Sequence, residues 1–254
     1  VLPTSKLPIL DWTTLRVGYV ARYSWMAASL DSLARSLGNF INNGQERNID
    51  KISDAEIAKI KTSFSTEIDN KIVIGLIGRI SKIKGQDLML DAFTILQKKY
   101  TNIHLVFIGS AVKGKEEYLN DILKKIEKNS LQEKVSFIDF QENIWPYYDA
   151  IDITIVPSTE KESFGLVATE AMLSKKPVIA ANHGGLVEIV KPNETGLLFE
   201  ANNAIDLSEK IAYLLENPEL IKIYGENGFS RVSENFSTKE YVNSFTKEYE
   251  KLTQ

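Results

Sequence analysis

The chain has 254 residues, of which 43% are hydrophobic and 25% are charged, a balance typical of a folded globular protein. It contains no cysteine and only two histidines, His104 and His183, which excludes disulfides and thiolate metal sites and argues against a histidine-rich metal centre. The formal net charge of −4 argues against a protein that follows nucleic-acid phosphates, and no apolar run reaches the roughly 20 residues that span a bilayer. We therefore expect no metal site and no nucleic-acid partner.

The pattern at the amino-terminal end is irregular. It predicts a strand over residues 15–20, a helix over 24–37 and a short strand at 40–41 that ends in a turn. Further along, Ser53 and Glu56 have the spacing of a capping box, in which each side chain satisfies a backbone N–H of the other. This spacing predicts a helix that begins at Ser53 and runs to Phe64.

From Lys71 onwards, predicted strands and helices alternate regularly. In chain order the predictions are a strand over 72–78, a helix over 86–99, a strand over 103–108, a helix over 115–129, a strand over 135–138, a helical turn over 144–148, a strand over 151–156, a helix over 164–173, strands over 177–181 and 196–199, and helices over 204–216, 219–235 and 238–252. Such alternation predicts an α/β fold with a Rossmann-like parallel sheet. Ligands of such sheets bind beyond the carboxyl ends of the strands, so the loops that follow the strands are the place to look for function.

The first loop of interest runs from Gly78 to Gly85, between a buried strand and a helix. Arg79 and Lys84 lie five residues apart in it, and Gly85 allows a tight turn into the helix. A guanidinium and an ammonium together can neutralise a diphosphate without a metal ion. The alternative interpretation is a basic surface loop that is simply solvated.

The second loop runs from Pro157 to Leu166 and leads into a helix. A helix amino terminus offers backbone N–H groups and a partial positive charge to a phosphate or to sugar hydroxyls. Glu162 precedes this helix and Glu170 lies inside it, and a carboxylate can accept hydrogen bonds from two neighbouring hydroxyls. Glu162 could instead be an acidic residue favoured by the helix dipole. Glu170 has apolar neighbours, so we expect its carboxylate to have a partner.

Taken together, the motifs carry a family resemblance. They are Arg79, Lys84-Gly85, Pro157-Ser158, Glu162-Ser163-Phe164-Gly165-Leu166, Glu170-Ala171-Met172, Pro177-Val178-Ile179-Ala180, the segment from Gly184 to Val190, and Gly196-Leu197-Leu198-Phe199. In this order and spacing, the chain from Asn39 to its end resembles the C-terminal, donor-binding domain of the retaining glycosyltransferases of family 4, which have the GT-B fold. The resemblance implies a nucleotide-sugar-binding Rossmann-like domain over residues 46–236 with helices on both faces of the sheet. Residues 1–45 would be a remnant or reduced part of an acceptor domain that is largely missing, and 237–254 a crossover helix.

The resemblance also implies roles for single residues. Arg79 and Lys84 would bind the donor diphosphate and Glu162 the hydroxyls of the transferred sugar, and these three would be the catalytic residues. Glu170 would bind the ribose. The remaining donor contacts would be the backbone N–H groups of Phe164, Gly165 and Leu166, and groups near Asp139, Phe140 and Gln141 that receive the base. The family usually has glycine where this chain has Asp139, and Phe140 could belong to the core instead of stacking on the base.

The two histidines and the aromatic segment 145–148 are given other roles. His104 alternates with apolar residues in a strand, which indicates a structural role. His183 lies on the ligand edge of the sheet, where either a donor contact or a simple glycine turn explains its position. The aromatic segment from Trp145 to Tyr148 is expected to pack a helix against the sheet.

The function that the resemblance implies is metal-independent transfer of a hexose from a nucleoside-diphosphate sugar, such as a UDP-sugar, with retention. The expected setting is polysaccharide biosynthesis in the cytoplasm. A location at the inner face of the membrane stays open as an alternative. No cofactor is expected besides the donor substrate, and the acceptor is a sugar, a lipid-linked group or a protein. A non-catalytic nucleotide-sugar module, a partner subunit of a split enzyme and a GT-B epimerase stay open as alternatives. A second chain or self-association through the last helix, whose apolar face includes Tyr241, Phe245 and Tyr249, would supply the missing domain.

Overall fold

The computed structural model describes residues 52–236, apart from 112, 113 and 115. The elements predicted at 15–20, 24–37, 40–41 and 238–252, and the proposed domain pieces 1–45 and 237–254, lie outside the described residues.

The centre of the fold is a six-stranded sheet in which every pairing is parallel. Its strands are β1 (Ile72–Ile77), β2 (Ile103–Ile108), β3 (Val135–Ile138), β4 (Ile153–Val156), β5 (Val178–Ala181) and β6 (Gly196–Phe199). They lie side by side in the order β3-β2-β1-β4-β5-β6. The prediction of a parallel α/β sheet is confirmed.

Helices connect the strands and cover both sides of the sheet. They are α1 (Asp54–Phe64), α2 (Gln86–Leu96), α3 (Glu117–Lys128), α4 (Trp145–Ala150), α5 (Leu166–Leu173), α6 (Leu186–Ile189), α7 (Ala204–Glu216) and α8 (Pro218–Asn235), and a short 3-10 turn spans Lys82–Lys84. Ser53 caps α1 by accepting a hydrogen bond from the Glu56 N–H at 3.3 Å, as its position in the sequence predicts. Within the described residues, no helix combines the length and the apolar character needed to cross a bilayer.

Two apolar layers hold the helices on the sheet. Alternate residues of a strand point to opposite faces, and in β1 the side chain of Ile74 joins the larger core cluster while that of Val73 joins a smaller one beneath α1. All six residues of β2 are buried, as expected for a strand covered on both faces. His104 in β2 is only 1% exposed, and its Nε2 lies 2.8 Å from the Ser136 hydroxyl. Burial, together with the charge of Lys71, lowers the pKa of His104 to about 4, so the ring is neutral near pH 7 and structural, as predicted.

Several predicted boundaries differ from those observed by one to three residues, and local geometry explains three of these differences. Helix α2 ends at Leu96 instead of residue 99 because the chain tightens there, with the N–H of Lys99 bonded to the Leu96 carbonyl three residues back. Helix α5 begins at Leu166 instead of residue 164 because Gly165 has a left-handed φ of 94°. Strand β4 begins at Ile153 because the Asp152 carboxylate, just before it, accepts a hydrogen bond from the Val73 N–H at 2.7 Å.

Candidate functional site

The loops that follow β1 and β4 are joined into one unit at the carboxyl end of the sheet. Gly85 has a left-handed φ of 74°, and a Cβ atom there would lie 2.1 Å from the Pro157 carbonyl oxygen. Thr159 donates its N–H to the Ile83 carbonyl at 3.0 Å and its hydroxyl to the Lys82 carbonyl at 3.1 Å. The glycine therefore serves both the turn that the sequence predicts and a close approach between two loops.

An ion pair between Lys84 and Glu162 lies on top of this unit. The Lys84 ammonium donates a hydrogen bond to Oε1 of Glu162, and the two side chains are 25% and 14% exposed. The hydroxyl of Ser158, a residue that is 1% exposed, donates to the same oxygen at 2.5 Å. Because both contacts use Oε1, the second oxygen of the carboxylate keeps its capacity to accept a hydrogen bond from a ligand.

The site thus brings together two of the three residues predicted to be catalytic, and it does so by direct contact. The motifs imply separate tasks for Lys84 and Glu162, and their direct contact is not predicted because they lie 78 residues apart. In the sequence, Ser158 stands out only as part of a motif. Its buried hydroxyl is what fixes the position of the Glu162 carboxylate.

Arg79, the third predicted residue, lies in the same loop with an exposed side chain. Its carbonyl accepts a hydrogen bond from Nε2 of Gln86 at 3.0 Å, and Oε1 of Gln86 accepts the Ser81 N–H at 3.3 Å. Gln86 is fully buried and shapes the loop backbone while the guanidinium faces solvent. Sequence reasoning missed Gln86, although a polar side chain at the first position of a largely apolar helix was a usable signal.

The amino terminus of α5 borders the same unit. Leu166 and the next residue begin the helix, where N–H groups have no acceptor within the helix and can serve a phosphate or a hydroxyl. A Cβ atom at Gly165 would lie 2.7 Å from a methyl carbon of Leu186. The glycine is thus explained by its left-handed backbone and by packing against α6, rather than by the close approach of a ligand. Phe164 packs edge-on against Phe236, with ring centroids 6.2 Å apart.

Glu170 has the partner that its apolar surroundings predicted. The hydroxyl of Tyr148, which is fully buried on α4, donates to Oε2 of Glu170 at 2.9 Å. Burial raises the pKa of the Glu170 carboxyl, and the hydrogen bond from Tyr148 acts in the opposite direction. Tyr148 packs a helix against the sheet as predicted, and its second role as the support of Glu170 was missed.

The loop after β3 holds the residues predicted to receive a base, and it is more open. Ser110 links it to the loop after β2, since its hydroxyl accepts the Phe140 N–H at 2.9 Å and lies 3.4 Å from Oδ1 of Asp139. Gln141 donates its amide to the Asp139 carbonyl at 3.1 Å. Phe140 is 72% exposed, so the alternative that it belongs to the core is wrong.

His183 contacts Ser158, the residue that holds the Glu162 carboxylate. Its Nε2 is 2.8 Å from the carbonyl oxygen of Ser158, and because a carbonyl only accepts, Nε2 carries the proton. The histidine therefore stabilises the loop that presents Ser158 and Glu162. Across residues 52–111, 114 and 116–236, no group of three or more histidine, aspartate or glutamate side chains is placed to hold a metal ion.

Comparison with known proteins identifies the family. The family model described as glycosyl transferases, group 1, matches residues 58–231, which includes every candidate residue named above. The chain belongs to this family.

Curated relatives of the chain are also glycosyltransferases. The chain is 36% identical over 182 residues to an uncharacterized glycosyltransferase, MJ1178, of Methanocaldococcus jannaschii. The matched segment covers 70% of this chain and 47% of that protein. It is 29% identical over 199 residues to the capsular polysaccharide biosynthesis glycosyltransferase CapM of Staphylococcus aureus, with coverage of 76% and 51%. The chain thus spans about half the length of these relatives.

Solved structures agree with this assignment. The crystal structure of Anabaena HepE in complex with UDP and glucose superposes with a TM-score of 0.71 at 27% identity, over 82% of this chain and 54% of HepE. The C-terminal domain of a group 1 glycosyl transferase (LpcC) from Francisella tularensis superposes with a TM-score of 0.65 at 29% identity, over 74% of this chain and 95% of that domain. The described fold therefore corresponds to one domain of a GT-B glycosyltransferase.

Proposed function

We propose that this chain binds the nucleoside-diphosphate-sugar donor of a retaining, metal-independent hexosyltransferase of family 4. The observation that carries the proposal is the cluster of Lys84, Glu162 and Ser158 at the carboxyl ends of β1 and β4, beside the amino terminus of α5. Three lines of support meet there: the motifs, the family match and the UDP and UDP-glucose named in the HepE structures.

The ion pair suggests how the donor enters. Lys84 and Glu162 form an ion pair and neutralise each other. A diphosphate carries more negative charge than one carboxylate, so it draws the ammonium toward its own oxygens. Glu162, still held by Ser158, then has its carboxylate free to accept hydrogen bonds from the hydroxyls of the sugar. The same event thus binds the phosphates and prepares the sugar site.

Electrostatic stabilisation is the main source of catalysis in this proposal. As the bond between the anomeric carbon and the diphosphate breaks, negative charge grows on the departing phosphate. Lys84, Arg79 and the N–H groups of Phe164, Gly165 and Leu166 would stabilise that charge. Glu162 orients the sugar, and the proposed mechanism uses no side chain as a nucleophile or base.

The ribose and the base of the donor would contact two further groups of residues. Glu170, held by Tyr148, would accept hydrogen bonds from the ribose hydroxyls. The backbone near Asp139, Phe140 and Gln141 would receive the base, with the exposed ring of Phe140 available for stacking. We also propose that a second chain or self-association completes the enzyme and that the enzyme acts in the cytoplasm. Its acceptor would be a sugar, a lipid-linked group or a protein.

Calorimetric titration with UDP, GDP and ADP tests the donor site. We expect at least one of them to bind in EDTA with the same affinity as in Mg²⁺, and Lys84→Ala to weaken that binding by about 1.5–3 kcal/mol. Lys82→Ala is the matched control, because it removes the same charge from an exposed position two residues away. Absence of binding by all three nucleotides would overturn the proposal, and equal losses in the two variants would overturn the role of Lys84.

Transfer is tested separately with the matching nucleotide sugar and candidate acceptors. An α-linked donor should give an α-linked product, which the proton coupling at the anomeric carbon reports by NMR. Inversion would contradict the retaining assignment. Binding without transfer would favour a non-catalytic module, and conversion of the donor into its epimer would favour an epimerase.

A further inference from the structure

A cavity of about 490 Å³ opens at the edge of the sheet opposite to the candidate donor site. Lys71 and Ile72 at the start of β1, Asp152 just before β4 and Lys176 just before β5 line it from the sheet, and Lys61 of α1 and Lys222 of α8 close its sides. It therefore lies at the amino ends of three adjacent strands. The donor residues follow the carboxyl ends, so the two sites do not share a side chain.

The cavity is strongly basic although the whole chain has a net charge of −4. Its charged lining residues are Lys61, Lys71, Lys175, Lys176, Lys222, Asp69 and Asp152, which gives five positive charges against two negative ones. Five lysines from four separate segments thus face one concave surface, and the excess of three positive charges calls for a counter-ion.

The protein itself supplies only part of the compensation. Asp152 is already engaged, because its Oδ2 accepts the Val73 N–H at 2.7 Å and its Oδ1 lies 3.6 Å from Lys61. Lys175 forms an ion pair with Glu226 at 2.9 Å. Glu226 itself does not line the cavity. Among the described residues, Lys71 and Lys222 have no carboxylate within ion-pair distance. Within residues 52–236, we therefore regard these two ammonium groups as the ligand-binding candidates.

The end of a helix adds to the positive potential. Pro218, Ile221 and Lys222 bring the amino-terminal turns of α8, a helix of 18 residues, to the cavity wall. A helix amino terminus carries a partial positive charge. With Glu226 counted against Lys175, the excess is two positive charges. A singly charged carboxylate would neutralise half of it, whereas a doubly charged phosphate ester would match it.

We propose that this cavity binds a phosphate-bearing anion through Lys71 and Lys222, independently of the donor site. The phosphate can belong to a small molecule in solution or to the headgroup of an anionic lipid, and the two sources share the chemistry that the lysines recognise. A lipid source would place the amino-terminal edge of the sheet against a membrane and leave the donor edge facing away from it.

Binding of inorganic pyrophosphate, measured by calorimetry, tests the site with four proteins. We expect Lys71→Ala combined with Lys222→Ala to weaken binding to the cavity about tenfold or more. Lys98→Ala combined with Lys128→Ala is the matched control, because both lysines are exposed and lie outside the cavity. Pyrophosphate could also bind near Lys84, so the Lys84→Ala protein is measured too and should retain the cavity binding.

Cosedimentation distinguishes the two sources of phosphate, with phosphatidylglycerol vesicles compared with phosphatidylcholine vesicles. Binding to the anionic vesicles that is lost in the cavity variant, but not in the control pair, assigns the site to a lipid headgroup. Pyrophosphate binding with the same dependence, without vesicle binding, assigns it to a soluble phosphate. The proposal is overturned if neither probe binds, or if the cavity variant and the control pair lose equal affinity while unfolding at the same temperature as the parent protein.

Discussion

The loops after β1 and β4 differ from those after β2 and β3 in how firmly the two members of each pair are joined to each other. The first pair is joined by the approach of Gly85 to Pro157, by two hydrogen bonds from Thr159 and by the contact of Lys84 with Glu162. The second pair is linked through the hydroxyl of Ser110, and the side chain of Phe140 stands in solvent.

This difference teaches where the site is organised before a ligand arrives. Groups that stabilise developing charge are effective when they are fixed in advance, because no reorganisation is needed during the reaction. The firmly held pair contains the residues proposed for the diphosphate and the sugar. The open pair contains those proposed for the base. We therefore expect the sugar-phosphate end to dominate affinity and the base end to tolerate change.

The largest effect is expected from breaking the approach of the two firmly held loops. Gly85→Ala places a methyl group 2.1 Å from the Pro157 carbonyl oxygen at a φ of 74°, and we expect it to destabilise the fold by about 3 kcal/mol or more. Gly114→Ala is the matched control, since Gly114 also has a left-handed φ, of 80°, but no atom lies within 4 Å of its added carbon. It should cost about 1 kcal/mol. Urea unfolding measures both, and equal losses would show that the loops can separate freely.

A smaller effect is expected from removing the support of Glu170. Tyr148→Phe deletes the hydroxyl that donates to this carboxylate, which stays largely buried, and should destabilise the protein by about 1–2 kcal/mol. The pKa of Glu170 should rise further, because the lost hydrogen bond favoured the charged form. Binding of the nucleotide should weaken as well. Tyr147→Phe, on the same helix but only partly buried, is the control, and an equal loss of stability there would contradict a specific role for the Tyr148 hydroxyl.

Different effects on two ligands are expected from a change at Glu162. Glu162→Gln removes the charge that competes for Lys84, so a nucleoside diphosphate should bind more tightly by about 1 kcal/mol. The nucleotide sugar should lose this gain, because the amide is a poorer acceptor for its hydroxyls. Calorimetry with UDP and UDP-glucose measures both, and Glu160→Gln in the same loop is the control. A parallel loss for both ligands would mean that Glu162 does not compete with the phosphates.

The smallest effect is expected at the open loop. Phe140 is 72% exposed, so Phe140→Ala should change the free energy of unfolding by less than about 0.5 kcal/mol. Its loss should weaken nucleotide binding by less than Lys84→Ala does, because an exposed ring covers one face of a base at most. A loss as large as that of Lys84→Ala would reverse the comparison between the two pairs of loops.

The sequence predicted what depends on local pattern. The bounds of β2, β3, β6 and α7 are those that the apolar runs and periods indicated, and the need of Glu170 for a partner followed from its apolar neighbours. The identity of that partner, Tyr148, did not, because it lies 22 residues away on another helix. The contacts of Lys84 with Glu162 and of Gly85 with Pro157 likewise depend on which strands become neighbours. Strand order is a property of the whole sheet, and no local period encodes it.

The strand order itself has a consequence for how such a protein can diversify. From β1 the chain proceeds outward through β2 to β3, and from β4 it proceeds outward in the other direction through β5 to β6. Between β1 and β4, where the direction reverses, the two connections run to opposite sides. A crevice therefore forms there from the strand order alone. The loops proposed to bind the base and those proposed to bind the sugar can therefore be exchanged separately, without altering the scaffold between them.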